Sequence, residues 1–236
     1  MHRTRTYRLL AALLLLLLVP QTGLAKSQAF GLTAQQIDFV RLLPPPPVVG
    51  SAIQRAEMRL LMTLQKSRTP EQVALAQADA KRTVFRFTDA IGPAFTADNL
   101  PLTAAFFDMT RTAADALIGP AKAHFDRPRP YVTNPDLTPC LPKPHNASYP
   151  SGHSTFATVT SIILANMLPE HADAIYARAE VYRFNRELGG VHYPSDVAAG
   201  RIAGTVIAAF LFDDPVFMEA YARARAETRR VLGLPQ

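Results

Sequence analysis

Apolar residues recur at the helical period in segment after segment of this chain, and no stretch of any length alternates as a strand would. Ile53, Met58, Leu60, Leu61 and Leu64 fall at roughly helical spacing between Ser51 and about Lys66. The next helix has a clear start, with Thr69 as N-cap, Pro70 at the first position and Gln72 at the capping-box position. Its pattern runs through Val73, Leu75, Ala76, Val84 and Phe85. After a break at Gly92-Pro93, a helix following Asn99 offers Leu102, Phe106, Phe107, Met109 and Leu117 to a core, and Gly119-Pro120 interrupts or kinks it. Helices are expected over about 152–168 and 170–188, then from near Ser195 through Phe210, then over about 215–232 with an arginine-rich face assigned to solvent. Between them, Leu42 to Pro47 reads as a polyproline II arm lying on the body, and 127–150 as the longest irregular loop. The fold class is therefore all-α, a single-domain bundle of about eight helices.

Residues 1–25 stand apart from that body. Arg3, Arg5 and Arg8 precede an apolar run from Leu9 to Val19, and Gly23-Leu24-Ala25 supplies small residues for cleavage. This is the pattern of a secretory signal peptide, and the run is short for a membrane span. The expected domain is then 26–236, with no stable membrane insertion after cleavage. Without the three leader arginines, 22 Lys+Arg stand against 19 Asp+Glu, a net charge of +3 in place of +6. With no long basic run and no tryptophan, nucleic-acid binding has little support. The one cysteine, Cys140, allows no internal disulfide. Export without a cysteine framework points to a bacterial periplasm.

Three short blocks carry chemistry. In Lys122 to Pro130, Lys122 and Arg129 are seven apart, two turns on nearly one helix face, whereas Arg127 would point away. Pro128 and Pro130 should end the helix there, and on its own the block reads as a basic helix end. In Ser148-Tyr149-Pro150-Ser151-Gly152-His153, Ser151 is placed to cap a helix whose free backbone N–H groups suit an anion. Gly152 allows close approach of a ligand, and on its own the block reads as a capped helix. In Arg186 to Asp196, two glycines turn the chain so that His192 can return towards Arg186. Asp196, four residues on, either caps its own helix or holds one imidazole nitrogen and leaves the other nucleophilic. Taken together, three fixed cations, an anion-binding helix start and two histidines are what phosphoryl transfer requires. A metal is not needed for this. Only Asp196 is a carboxylate with an evident role, Asp126 and Glu187 reading as partners of neighbouring arginines, and no His-x3-His or cysteine pair suggests zinc.

Lys-x6-Arg-Pro, Pro-Ser-Gly-His and Arg-x5-His-x3-Asp occur here in order, as Lys122/Arg129/Pro130, Pro150 to His153 and Arg186/His192/Asp196. In these blocks the chain resembles the type 2 phosphatidic acid phosphatase superfamily, which includes bacterial class A non-specific acid phosphatases and vanadium haloperoxidases. Similarity to the class A enzymes extends to the leader, the proline-rich entry and the Ser-Tyr-Pro-Ser-Gly-His run. The resemblance implies a secreted, metal-independent acid phosphatase of broad specificity for small phosphate monoesters, with no cofactor. His192 would attack phosphorus and form a phosphohistidine, Asp196 would orient it, and His153 would protonate the leaving alcohol and then activate water. Lys122, Arg129 and Arg186 would bind the phosphate with Ser151 and the Gly152 backbone. Asn185 departs from the serine usual before the third-block arginine, and tuning of the pocket is the expectation. A vanadium-dependent haloperoxidase, a lipid phosphatase and a non-catalytic phosphoester-binding module are the alternatives. Physiological substrate and oligomeric state, a homo-oligomer included, are open.

Overall fold

The computed structural model describes residues 30–236, so the expected leader at 1–25 lies outside the described residues. Among these residues there are ten α-helices and no strand. They are α1 (Phe39–Leu42), α2 (Ala52–Ser67), α3 (Pro70–Ala78), α4 (Thr88–Ile91), α5 (Pro101–Phe125), α6 (Pro130–Thr133), α7 (Gly152–Met167), α8 (Ala172–Leu188), α9 (Pro194–Leu211) and α10 (Pro215–Val231). Three of them are single turns, which leaves seven longer helices beside the eight expected. Among the described residues no single helix is long and apolar enough to cross a membrane.

Local signals set most helix starts. Ser51, Thr69, Ser151 and Asp214 each accept a backbone N–H of their own first turn. α5 is capped from a distance, because Glu227 of α10 accepts the N–H groups of Leu102 and Thr103 at 3.1 and 2.8 Å. A negative charge there also complements the helix dipole. The main core gathers Phe30, Phe39, Phe106 and Phe217 with the inner faces of α5, α7, α9 and α10. Rings of Phe30, Phe106 and Phe217 meet one another at 5.2–6.3 Å. Burying each such side chain contributes about 1.5–3 kcal/mol.

α7 is the central element, buried nearly all round and packed on α8 and α9. The seam with α9 is built on glycine. A Cβ on Gly200 would stand 2.4 Å from the Ser151 carbonyl oxygen, and one on Gly204 would stand 2.7 Å from that of Thr155. Their absence lets the two backbones touch. Ser154 then donates to the Val197 carbonyl at 2.6 Å, and the Ser151 N–H to the Asp196 carbonyl at 2.9 Å. The N-termini of α7 and α9 are thereby fixed side by side, which joins two of the three blocks.

Several sequence expectations are corrected. The helix opened by Thr69 ends at Ala78 and not near Phe85, because Asp79 turns inward to buried partners and the chain re-forms as a 3₁₀ turn at Val84–Phe87. Pro120 does not interrupt α5, whose buried Leu117, Ile118 and Ala121 hold the helix on both sides of the missing N–H. Leu102 and Met109 are exposed, as are Ile53 and Leu60, whereas α2 turns Gln54, Glu57 and Leu61 inward. On α10, Arg223 and Arg230 are solvated but Arg229 is buried against Glu170 and the Met167 carbonyl. Leu42, expected to open the proline arm, instead ends α1, and beyond it the Tyr149 hydroxyl donates to the Pro44 carbonyl and ties the proline run to the body.

Candidate active site

A cavity of about 430 Å³ opens over the N-terminus of α7. Its wall includes Lys122, Arg129, Asn146, Gly152, His153 and His192. Lys122 and Arg129 meet there, but not through a shared helix face. α5 ends at Phe125 and Asp126 takes a left-handed conformation, φ 37°. The chain turns, and both cations close on the Ala147 carbonyl, at 2.9 Å from Lys122 and 3.4 Å from Arg129. Arg129 is further held by the Asn146 side chain at 2.7 Å and the Val191 carbonyl at 2.8 Å. Burial, and then the charge of Arg129, push the Lys122 ammonium down to about 7.

His192 is buried and lies between two charged partners. Its Nδ1 is 3.4 Å from Asp196 Oδ2, and its Nε2 is 3.2 Å from Arg129 Nη1. Asp196 both caps and orients. Oδ2 also accepts the Tyr193 N–H at 2.8 Å and the Ser148 hydroxyl at 2.5 Å, while Oδ1 takes Arg127 Nη1 at 2.6 Å. Burial opposes its ionisation, yet the bonds from His192 and Ser148 and the charge of Arg127 hold the carboxyl below its ordinary range. Burial dominates at His192 and takes its imidazole down to about 3, against the raising effect of Asp196. At pH 5–7 this ring is neutral, with Nε2 available as a nucleophile.

His153 lines the cavity at the first turn of α7 and donates from Nε2 to the Ala80 carbonyl at 3.0 Å. Burial, then the charge of Arg186, push it well below the ordinary imidazole range. Arg186 is buried beneath the cavity wall, and its Nε and Nη1 have no hydrogen-bond partner among the described residues. Ser151 caps α7 through Ser154 N at 3.3 Å. Gly152 lines the cavity, and a Cβ there would be in ordinary contact with Arg82, Ile118 and Asp115, at 3.6–3.8 Å. A helix start, Lys122, Arg129 and an oriented imidazole therefore face one small volume, with the buried Arg186 behind them. That arrangement suits an anion with tetrahedral oxygens and attack on its central atom.

A PAP2 superfamily pattern matches residues 105–217, the span from Lys122 to Asp196 included. A non-specific acid phosphatase of Providencia stuartii is 31% identical over 204 residues, 82% of each chain. An acid phosphatase of Zymomonas mobilis is 32% identical over 203 residues, 82% of this chain and 76% of that one. The chain belongs to the PAP2 superfamily. Among solved structures, the fold is similar to that of a bacterial vanadium-dependent iodoperoxidase, with a TM-score of 0.58 and 16% identity over 73% of this chain. This PAP2 chain spans about half of that protein, 52% of its length, and the likeness is one of fold.

The eight residues singled out in this PAP2 sequence come together around one cavity, with Ser151, Arg186 and Asp196 as its buried support. Other residues escaped sequence reasoning. Arg82 and Asp115 pair at 2.5 Å on the cavity wall, above Gly152. Asp115 lies seven residues before Lys122 on α5, a helical spacing that sequence could have flagged. Arg82 carried no such signal. Arg127, which seemed to point away, is buried instead against Asp196 and Glu57 and stacks 4.0 Å over the Tyr193 ring. It lies beyond the end of α5, after the left-handed Asp126, so the helix face does not set its direction. Neither Asp126 nor Glu187 forms an ion pair among the described residues. Burial, then Glu57 and Asp196, raise Glu187 to about 7. No group of His, Cys, Asp and Glu among the described residues is arranged to hold a metal ion.

Proposed function

We propose that this PAP2 protein is a phosphatase acting on small phosphate monoesters through a phosphohistidine on His192. The observation that carries the reading is the double contact of His192, Nδ1 towards Asp196 and Nε2 beside Arg129 at the cavity wall. Relatives named acid phosphatase over four-fifths of the chain support the substrate class. In the first step the Nε2 lone pair attacks phosphorus as the ester P–O bond breaks. Lys122, Arg129 and Arg186 neutralise the equatorial oxygens, and the backbone at Gly152 supports them. Asp196 keeps the proton on Nδ1 and offsets the charge growing on the ring. His153 gives a proton to the departing alkoxide. It then takes one from water, which attacks phosphorus and releases His192. A bound phosphate dianion counters the effects that hold His153 neutral in the free protein.

Two groups bracket the working range. His192 must be neutral, which it is above about 3. Lys122 must be charged, which it is below about 7. An acidic optimum follows. Broad specificity follows from a wall that gives the phosphate all its charged contacts and offers the leaving group mainly Pro144, Ile118 and the Arg82–Asp115 pair. None of these steps uses a metal, and the leader pattern gives the periplasm as the place of action.

His192→Ala is the deciding variant. Turnover of 4-nitrophenyl phosphate should fall to background, and acid-labile, base-stable phosphate trapped on the wild-type chain should vanish. Near wild-type turnover in His192→Ala would overturn the mechanism. Chelator should leave the wild-type rate unchanged.

A further inference from the structure

The face of α8 that leads to Arg186 carries Arg178, Tyr182 and Asn185, spaced four and three residues apart and hence on one side of the helix. All three reach the short turn after α3. Asn185 Nδ2 donates to Asp79 Oδ2 at 2.8 Å, and Arg178 Nη2 to Asp79 Oδ1 at 2.5 Å. Arg86 Nε adds a third bond to Asp79, at 2.8 Å. The Tyr182 hydroxyl donates to the Lys81 carbonyl at 3.3 Å. Asp79 is fully buried, so this carboxylate is a structural hub and not a surface charge.

Between the two anchored residues lies Ala80, whose carbonyl holds His153 Nε2 at 3.0 Å. The Tyr182 ring stacks on the same imidazole, centroids 6.3 Å apart and planes 26° apart. Each contact that fixes the His153 ring therefore traces back to this face of α8 or to the turn it clamps. Asn185 is also where the chain departs from the serine usual in the family it resembles.

We propose that Asn185 and Asp79 are positioning residues for His153: by clamping residues 79–81 to α8 they hold the Ala80 carbonyl as the acceptor that fixes the imidazole's plane and tautomer. With Nε2–H given to that carbonyl, Nδ1 is the nitrogen that carries the proton to the leaving group and takes one from water. Proton transfer tolerates little displacement, and a shift of about 1 Å in a reacting group costs on the order of 100-fold. The proposal rests on the acid–base role given to His153 above.

Loss of a positioned proton donor slows esters of weakly acidic alcohols far more than esters of acidic phenols. The test compares the full chain and its Asn185→Ala variant on glycerol 1-phosphate and on 4-nitrophenyl phosphate. Turnover of the alkyl ester should fall by about 10- to 100-fold and that of the aryl ester by less than about 3-fold, with inhibition by inorganic phosphate unchanged. Asn185→Ser should give the same pattern at smaller amplitude, and it serves if Asn185→Ala does not fold. Nitrogen NMR of histidine-labelled protein supplies a readout independent of turnover. His153 should be a single Nε2–H tautomer in the wild type and a mixture in the variant. An equal fall on both esters, no fall on either, or an unchanged tautomer would overturn the clamp. A wild type inactive on both esters would instead overturn the phosphatase reading, leaving the tautomer comparison to judge the clamp.

Discussion

Arg127→Met is the most informative perturbation of the site's support. Arg127 Nη1 is 2.6 Å from Asp196 and 2.7 Å from the Ser195 hydroxyl, and Nη2 is 3.0 Å from Glu57. Glu57 in turn accepts the Ser195 N–H at 2.7 Å, which ties α2 to the start of α9. Side-chain exposures of 3% for Arg127, 9% for Glu57 and 0% for Asp196 put the whole group out of water. Removing one partner of such a buried pair costs about 3–5 kcal/mol, because the remaining charge is uncompensated. Stacking over Tyr193 adds roughly 0.5–2 kcal/mol. Against a total of about 5–15 kcal/mol for a domain, the variant should be severely destabilised. Arg127→Lys, which keeps the charge but not the fork that spans two carboxylates, should be milder.

The pH dependence gives the sharper check. In the wild type the Asp196 carboxyl lies below its unfolded value of about 3.9, so its contribution is full above that pH and is lost as pH falls through the folded value. Without Arg127 the same buried carboxyl is pushed upward, and acidification then relieves it. The stability gap between the two proteins should be largest near neutrality and shrink as pH falls towards 4. Urea unfolding followed by far-ultraviolet circular dichroism measures both quantities. A gap under about 1 kcal/mol at pH 7, or one that widens with acid, would refute the argument.

Two further outcomes follow from distances in the same region. The KM for a phosphate monoester should rise as pH passes upward through about 7, where Lys122 loses its charge. Lys122→Met should raise KM at pH 5 and abolish that limb in steady-state assays. Gly200→Ala should lower stability by about 1–3 kcal/mol, as overpacking does, since its Cβ would meet the Ser151 carbonyl oxygen at 2.4 Å. The same variant should lower kcat, because this seam sets Ser151 beside Asp196, and calorimetry with turnover reads both effects.

Helix starts and the three motif blocks were legible in the sequence because both depend on neighbours in the chain. Thr69 caps with Gln72, and Asp196 meets His192 four residues back. What escaped depends on partners far along the chain. Arg127 meets Glu57 across 70 positions, and Asn185 meets Asp79 across 106. Glu57 lies on the inward side of α2 with Leu61, while Ile53 and Leu60 point outward, and apolar periodicity gives a buried carboxylate no mark. Lys122 and Arg129 lie close together although the helix ends between them, as Pro128 and Pro130 lead one to expect. Their spacing fits a helix, yet it is the left-handed turn at Asp126 and the Ala147 carbonyl that bring them together. Gly200 and Gly204 carry no signal of their own in the sequence, and only the packed α7 backbone gives them a purpose.

The state of Arg186 makes a last prediction that separates a binding site from a structural ion cluster. Arg127 is surrounded by acceptors, whereas Arg186, 2% exposed, leaves Nε and Nη1 without one among the described residues. Burial already lowers its guanidinium to about 10, with Arg129 and Arg82 adding like charge. A buried cation of this kind weakens the free protein and is relieved only when an anion arrives. Inorganic phosphate at 100 times its Kd should therefore stabilise the wild type by about 2.7 kcal/mol, a rise in Tm of roughly 5–11 °C for a chain of this length. Arg186→Met should lose most of that rise. Its Tm without phosphate should equal or exceed that of the wild type, since an apolar side chain of similar reach replaces an uncompensated charge. Differential scanning calorimetry with and without phosphate distinguishes the cases. If Arg186→Met melts well below the wild type in the absence of phosphate, Arg186 is a structural strut and the phosphate site must be built from the remaining cations.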